Sequence, residues 1–144
     1  GRASQLLLVA YTCFVHAHVH RKTGWWPYCS YTMVAYVLLT LRFALGALGL
    51  RRCAEPLRFP CLIMSLITTS VWWLVLVPIF LIAMPGGKKK RQGFIKFNLS
   101  FFLVNVHLAN SLLAWYDHRL TLRPLVFCDL WLSILVAMIY VVFY

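Results

Sequence analysis

The side chains able to do chemistry in this 144-residue chain lie mostly inside apolar runs. His16-Ala17-His18-Val19-His20 closes the first run. On a helix His16 and His20 share a face one turn apart, a spacing that holds a metal when another element supplies a third ligand. Without that ligand they are three imidazoles in the membrane interface beside Arg21 and Lys22. No second pair has such spacing, so no metal and no cofactor is assigned. A later run carries Asn98, Ser100, Asn105, His107, Asn110 and Ser111. So many amides mark a face turned toward other helices, where each hydrogen bond contributes about 0.5–2 kcal/mol. The sharper alternative makes His107 a general base or a haem ligand. Bis-histidine haem needs two imidazoles at similar depth, whereas His107 is central in its run and His16, His18 and His20 are terminal. Arg42 and Asp129 are the opposite charges placed inside runs. They lie toward the same side, so a pair is geometrically permitted, and Arg42 can also snorkel to the interface. No P-loop, dinucleotide glycine loop, GxSxG or HExxH is present.

The elements that position these groups follow from composition. Hydrophobic residues make up 62% of the chain and charged residues 12%, with a mean hydropathy of +0.80. Soluble domains average roughly half apolar and a quarter charged, so a soluble enzyme is excluded. Ten Phe, seven Tyr and six Trp exclude disorder and coiled coil. A spanning helix needs about 20 apolar residues, and apolar runs lie near 4–20, 27–50, 59–84, 94–116 and 125–144. The first is short, as a run cut at its start would be; Gly1 and a Tyr144 inside an apolar run read as a processed or partial chain. Lipid cannot satisfy open backbone groups and no barrel alternation appears. The expectation is an all-α, polytopic transmembrane bundle of about five spans, one domain over 1–144.

Punctuation fits those spans. Pro27 and Pro124 suit first helical turns. Pro56 and Pro60 are expected to break the second connection, and Pro85-Gly86-Gly87 to end the third run. Pro78, inside the third run, should kink that helix or loosen its last turn. Thr68-Thr69-Ser70 before Trp72-Trp73 marks a bulky, partly polar packing surface. Trp25-Trp26, Trp115 and Tyr116 sit where interfacial aromatics belong.

Fourteen Lys and Arg oppose three acids, giving +11 at pH 7. The charges form short patches between apolar runs and no continuous basic face, which excludes nucleic acid. Anionic phospholipids, cardiolipin among the candidates, are the simpler partner at roughly 1 kcal/mol per basic residue. Arg51, Arg52, Lys88, Lys89, Lys90 and Arg91 are the expected contacts. Counted by side, five spans place six basic residues against seven, so orientation stays open. Anionic lipid on both faces suits the mitochondrial inner membrane better than the endoplasmic reticulum or plasma membrane. The five cysteines lack CxxC spacing, and most sit in or beside apolar runs, where Cys usually behaves as a small buried hydrophobe.

Trp26-Pro27-Tyr28-Cys29-Ser30-Tyr31-Thr32 and Asn105-Val106-His107-Leu108-Ala109-Asn110-Ser111, with Arg119, Arg123-Pro124 and the terminal Ile139-Tyr140-Val141-Val142-Phe143-Tyr144, resemble the rolling stone-like family. More distantly they resemble the androgen-induced protein family of multi-pass membrane proteins. The shared motifs cover about 40 residues. The androgen-induced branch implies a membrane lipid hydrolase with a Thr nucleophile and a His, acting on fatty acid esters of hydroxy fatty acids. The nucleophile would be Thr32, or Ser30 under a shifted alignment. That branch's catalytic His falls on Asn110, which cannot act as a base. His107 matches the preceding family His, and Leu108 replaces the family's usual Gly.

Three expectations follow. The first is a non-catalytic accessory subunit of a larger membrane complex, such as one of the respiratory chain, with other membrane subunits on its amide face. The second is a lipid hydrolase using Thr32 and His107, provided the helix turns His107 toward Thr32. The third is a haem- or quinone-contacting subunit. Transport is disfavoured, since no internal repeat or pair of broken helices is evident.

Overall fold

Ser30 sets the start of the second helix. Its Oγ accepts from the Met33 amide at 3.3 Å and donates to the Pro27 carbonyl at 2.7 Å, the N-cap geometry that Ser favours. A computed structural model describes residues 1–85, 87–120, 124 and 126–143, and all the regular structure in them is helical. Helix α1 is Arg2–Thr23, followed by a 3₁₀ turn over Trp26–Cys29 that takes up Pro27. Helix α2 is Tyr31–Ala47. Gly49, at φ 80°, takes the left-handed conformation that lets α3 begin at Arg51.

Helix α3 runs without a break over Arg51–Ala83. Pro56 and Pro60 therefore do not interrupt the chain: Pro56 lies in a 3₁₀ turn over Glu55–Leu57 and Pro60 in the turn that follows it. Each proline falls in the first turn of a helical segment within α3, the 3₁₀ turn from Glu55 and the α-helical stretch from Arg58, where the missing amide forfeits no bond of that segment. Around Pro78 the helix stays whole; a π-helical stretch over Val71–Leu76 stands just before it. The fourth run does break. Helix α4 spans Gly87–Asn98, so Lys88–Arg91 form a helical turn, and α5 spans Phe101–Leu120 at 56° to it. The extended Ser100 makes the bend. Helix α6 is Phe127–Phe143. Arg123, Leu125 and Tyr144, which entered the charge count, the fifth run and the family resemblance, lie outside the described residues.

Cross-helix contacts fix the directions. Arg2 Nε donates to the Ala47 carbonyl at 2.7 Å, and His16 meets Thr40 further along, so α1 runs antiparallel to α2. Glu55 lies by Arg42 at one end and Trp72 by His107 at the other, making α3 antiparallel to α2 and α5. Two apolar cores fill the space: Val15, Val19, Met33, Tyr36, Leu103 and Val106, then Leu39, Phe43, Cys61, Leu62 and Ala114. Gly46 faces α1 closely: an added Cβ would stand 3.1 Å from Oε1 at the end of the Gln5 side chain, which would have to shift by a few tenths of an ångström. Beyond Trp72 the end of α3 pairs with α4 as a hairpin, Phe80 against Phe94. Its outer apolar side chains are bare: Leu74 is 75% exposed and Ile82 80%.

Only α3, 33 residues long, is on its own long and apolar enough to cross a membrane; α4 and α5 pass the same test as a bent pair. Among the described residues, then, length and composition give one or two crossing helices where the sequence predicts five spans. Apolar helices α2 and α6 have 17 residues each, fewer than the roughly 20 a crossing needs.

Candidate functional site

Thr32 occupies the first turn of α2, two residues after the Ser30 cap. His107 lies in α5 within a π-helical stretch, Asn105–Ala109. Such bulges add a residue to the turn, re-aim side chains and recur at functional sites. The result brings Thr32 Oγ1 to 3.3 Å from His107 Nε2. With the proton on Nδ1, Nε2 accepts the Thr32 hydroxyl. Nδ1 is buried beside the Leu103 carbonyl, one turn back, without a well-formed hydrogen bond. Thr32 itself is half-buried, whereas His107 is 6% exposed.

The imidazole is clamped from α3. Trp72 stacks on it with ring centroids 4.0 Å apart and planes 28° apart. The indole Nε1 donates at 2.8 Å to Asn98 Oδ1, and Asn98 Nδ2 donates to the Phe94 carbonyl. Trp72 also falls in a π-helical stretch, so the two π-helical stretches of the described residues meet across this stack. That leaves the rotation of His107 set by an aromatic plate whose own edge is hydrogen-bonded.

The other amides bond within the chain. Asn105 accepts from Tyr11 and donates to the Phe101 carbonyl. Thr69 Oγ1 lies 3.0 Å from Ser111 Oγ and 3.4 Å from Asn110 Oδ1, and Ser111 donates to the Leu108 carbonyl. Asn110 is fully buried and its Nδ2 has no partner. Ser30, the alternative nucleophile, is committed to capping.

Against known proteins the chain has no match: not to a family model, not to a curated protein, not to a solved structure. The site therefore rests on its own geometry.

Arg42 corrects an expectation. It does not snorkel and its partner is not Asp129. It is 5% exposed, with its guanidinium 3.4 Å from Glu55 Oε1 and 3.2 Å from Asp117 Oδ2. Arg58 reaches Glu55 at 3.8 Å, and Gln5 donates to Asp117 Oδ1 at 2.8 Å. Two of the three acids in the chain thus serve one buried arginine. Asp129 instead accepts from the Val126 amide at 2.9 Å, near the start of α6. Sequence reading passed over Glu55, Asp117, Arg58 and Gln5, because each lies at or beyond the edge of an apolar run. The scarcity of acids was the available signal: a buried arginine had few possible partners.

His16 is held by Tyr28 OH at 3.2 Å and Thr40 Oγ1 at 3.1 Å, and His20 packs on Trp25. Both histidines line an apolar groove of about 420 Å³. His18 packs on Phe14 and Phe101. Among the described residues no cluster of three or more metal-ligating side chains forms. Arg51, Arg52 and Lys88–Arg91 are exposed. Cys61 is buried, but Cys13, Cys29, Cys53 and Cys128 are exposed, against expectation; all five thiols are free.

Proposed function

We propose that this chain is a membrane-embedded lipid-ester hydrolase in which Thr32 is the nucleophile and His107 the base. The observation that carries the reading is the 3.3 Å contact between Thr32 Oγ1 and His107 Nε2. A hydroxyl is a weak nucleophile until a neighbouring base takes its proton, and hydrogen-bond reach between the two is the requirement. His107 takes the Thr32 proton as Oγ1 attacks the ester carbonyl, then gives it to the departing alcohol. Water hydrolyses the acyl-Thr32 ester by the same route in reverse, and Thr32 recovers its proton. The Met33 amide is taken by the Ser30 cap, which leaves the Tyr31 and Thr32 amides of α2 without an intrahelical acceptor; they and the positive end of the helix dipole stabilise an oxyanion formed at Thr32.

A long-chain ester is the fitting substrate, because Thr32 is half-buried in a body with bare apolar flanks. The helices form a five-span bundle in this reading, with the shorter ones completed by interfacial aromatics and local bilayer thinning. Arg51, Arg52 and the Lys88–Arg91 turn rest on anionic phospholipid headgroups. The amides that motivated an accessory-subunit role bond inside the chain, which weakens that alternative.

A fluorophosphonate probe tests the proposal on the purified protein. Covalent labelling that disappears in Thr32→Ala supports it. An unlabelled wild-type protein, or labelling unchanged by Thr32→Ala, removes it.

A further inference from the structure

A stripe of small side chains on α3 joins the arginine centre to the reactive pair. Cys61, Ser65, Thr68 and Trp72 are spaced four, three and four residues apart and so share one face of the helix. Cys61 packs with Leu39, Phe43 and Ala114 near Arg42 and Asp117. Trp72 stacks on His107. Between them Ser65 is 0% exposed and Thr68 4%, and neither hydroxyl has a hydrogen-bond partner. Asn110, also 0% exposed, adds an unpartnered Nδ2 from α5, and its Oδ1 faces Thr69, the neighbour of Thr68.

Three buried polar atoms without partners on two packed helices are costly, since each forfeits its hydration. Internal water meets that cost where two to four polar groups converge. We infer that Ser65 Oγ, Thr68 Oγ1 and Asn110 Nδ2 bind internal water in the seam between α2, α3 and α5. The neighbouring buried side chains are short, Cys61 on α3 and Ala114 on α5, which share one core. Its chemical role rests on the hydrolase reading: the acyl-Thr32 ester needs one water to be cleaved, giving acid and free Thr32 hydroxyl. The seam delivers that water from inside the bundle.

Radiolytic hydroxyl-radical labelling tests the site without reference to catalysis, because radicals form from bound water beside the side chain they oxidise. Met64 and Met33 are equally buried, at 1% exposure each. Met64 precedes Ser65 on α3, whereas Met33 packs in the other core with Val15, Val19 and Tyr36 and serves as the internal reference. The inference expects the oxidation of Met64 relative to Met33 to fall several-fold from the wild-type protein to the isosteric Thr68→Val. Should Thr68→Val not fold, Ser65→Ala is expected to reduce the same ratio. A Met64-to-Met33 ratio unchanged in the folded variants overturns the site. That result would leave probe labelling of Thr32 untouched, so the two readings fail separately.

Discussion

Arg42 on α2 and Asp117 on α5 meet at 3.2 Å, with the same 75-residue separation as Thr32 and His107. The two helices therefore run parallel in one constant register. The ion pair stands ten residues, nearly three turns, along from the reactive contact. A buried charge pair of this kind fixes register as an interior polar residue does in a coiled coil. Slipping α5 by one residue against α2 would break the ion contact and the Thr32–His107 contact together.

Removing Asp117 leaves the buried Arg42 with one of its two acids, the more exposed Glu55. Asp117→Ala is expected to destabilise the protein by about 3–5 kcal/mol, read as a fall in melting temperature in mild detergent. The joint replacement Arg42→Met with Asp117→Leu should recover much of the loss, since well-packed apolar residues often replace a buried pair at no net cost. Equal damage from the single and the joint replacement would contradict this account of the centre.

Trp72 positions His107 without touching the ester. Trp72→Phe keeps a ring against the imidazole and loses the Asn98 bond, so probe labelling at Thr32 should fall only several-fold. Trp72→Ala frees the imidazole, and a displacement of about 1 Å costs roughly 100-fold. Circular dichroism distinguishes this from unfolding, because helix content should persist in both variants.

Thr69 links α3 to α5 through Ser111 and Asn110. Thr69→Val preserves shape and removes those bonds, at an expected cost of about 0.5–2 kcal/mol. Labelling of Thr32 should survive, since Thr69 does not touch the reactive pair.

The Lys88–Arg91 turn heads a helix whose apolar side packs on the end of α3. Each Lys→Gln or Arg→Gln replacement there should weaken binding of the α4 region to anionic vesicles by about 1 kcal/mol, about fivefold. Raising salt should remove the same increment, and a co-sedimentation titration reads both.

The all-helical class and the outlines of α1, α2 and α6 were legible because apolar runs of such length have few other solutions in a bilayer. Two boundaries were misread for local reasons. Pro56 and Pro60 punctuate a loop in most contexts, yet here each stands in the first turn of a helical segment within α3, where its missing amide costs little. Asn98-Leu99-Ser100 lies inside an apolar run, and nothing in its hydropathy marks the 56° bend. At the site, Thr32 and His107 were readable as candidates through their motifs, but their meeting was not. It depends on a π-helical stretch in α5, which adds a residue to the turn without a distinctive residue type. The Arg42 centre was hidden because its partners come from run edges, where charges normally read as solvated.

The central claim is that Thr32 and His107 act together on an ester. The most direct measurement is release of free fatty acid from a fatty acid ester of a hydroxy fatty acid by purified protein in liposomes, followed by mass spectrometry. The account predicts hydrolysis by the wild-type protein, measurable residual hydrolysis by Thr32→Ser, and losses of about 100- to 10,000-fold in Thr32→Ala and His107→Gln. Hydrolysis by Thr32→Ala at the wild-type rate would contradict it.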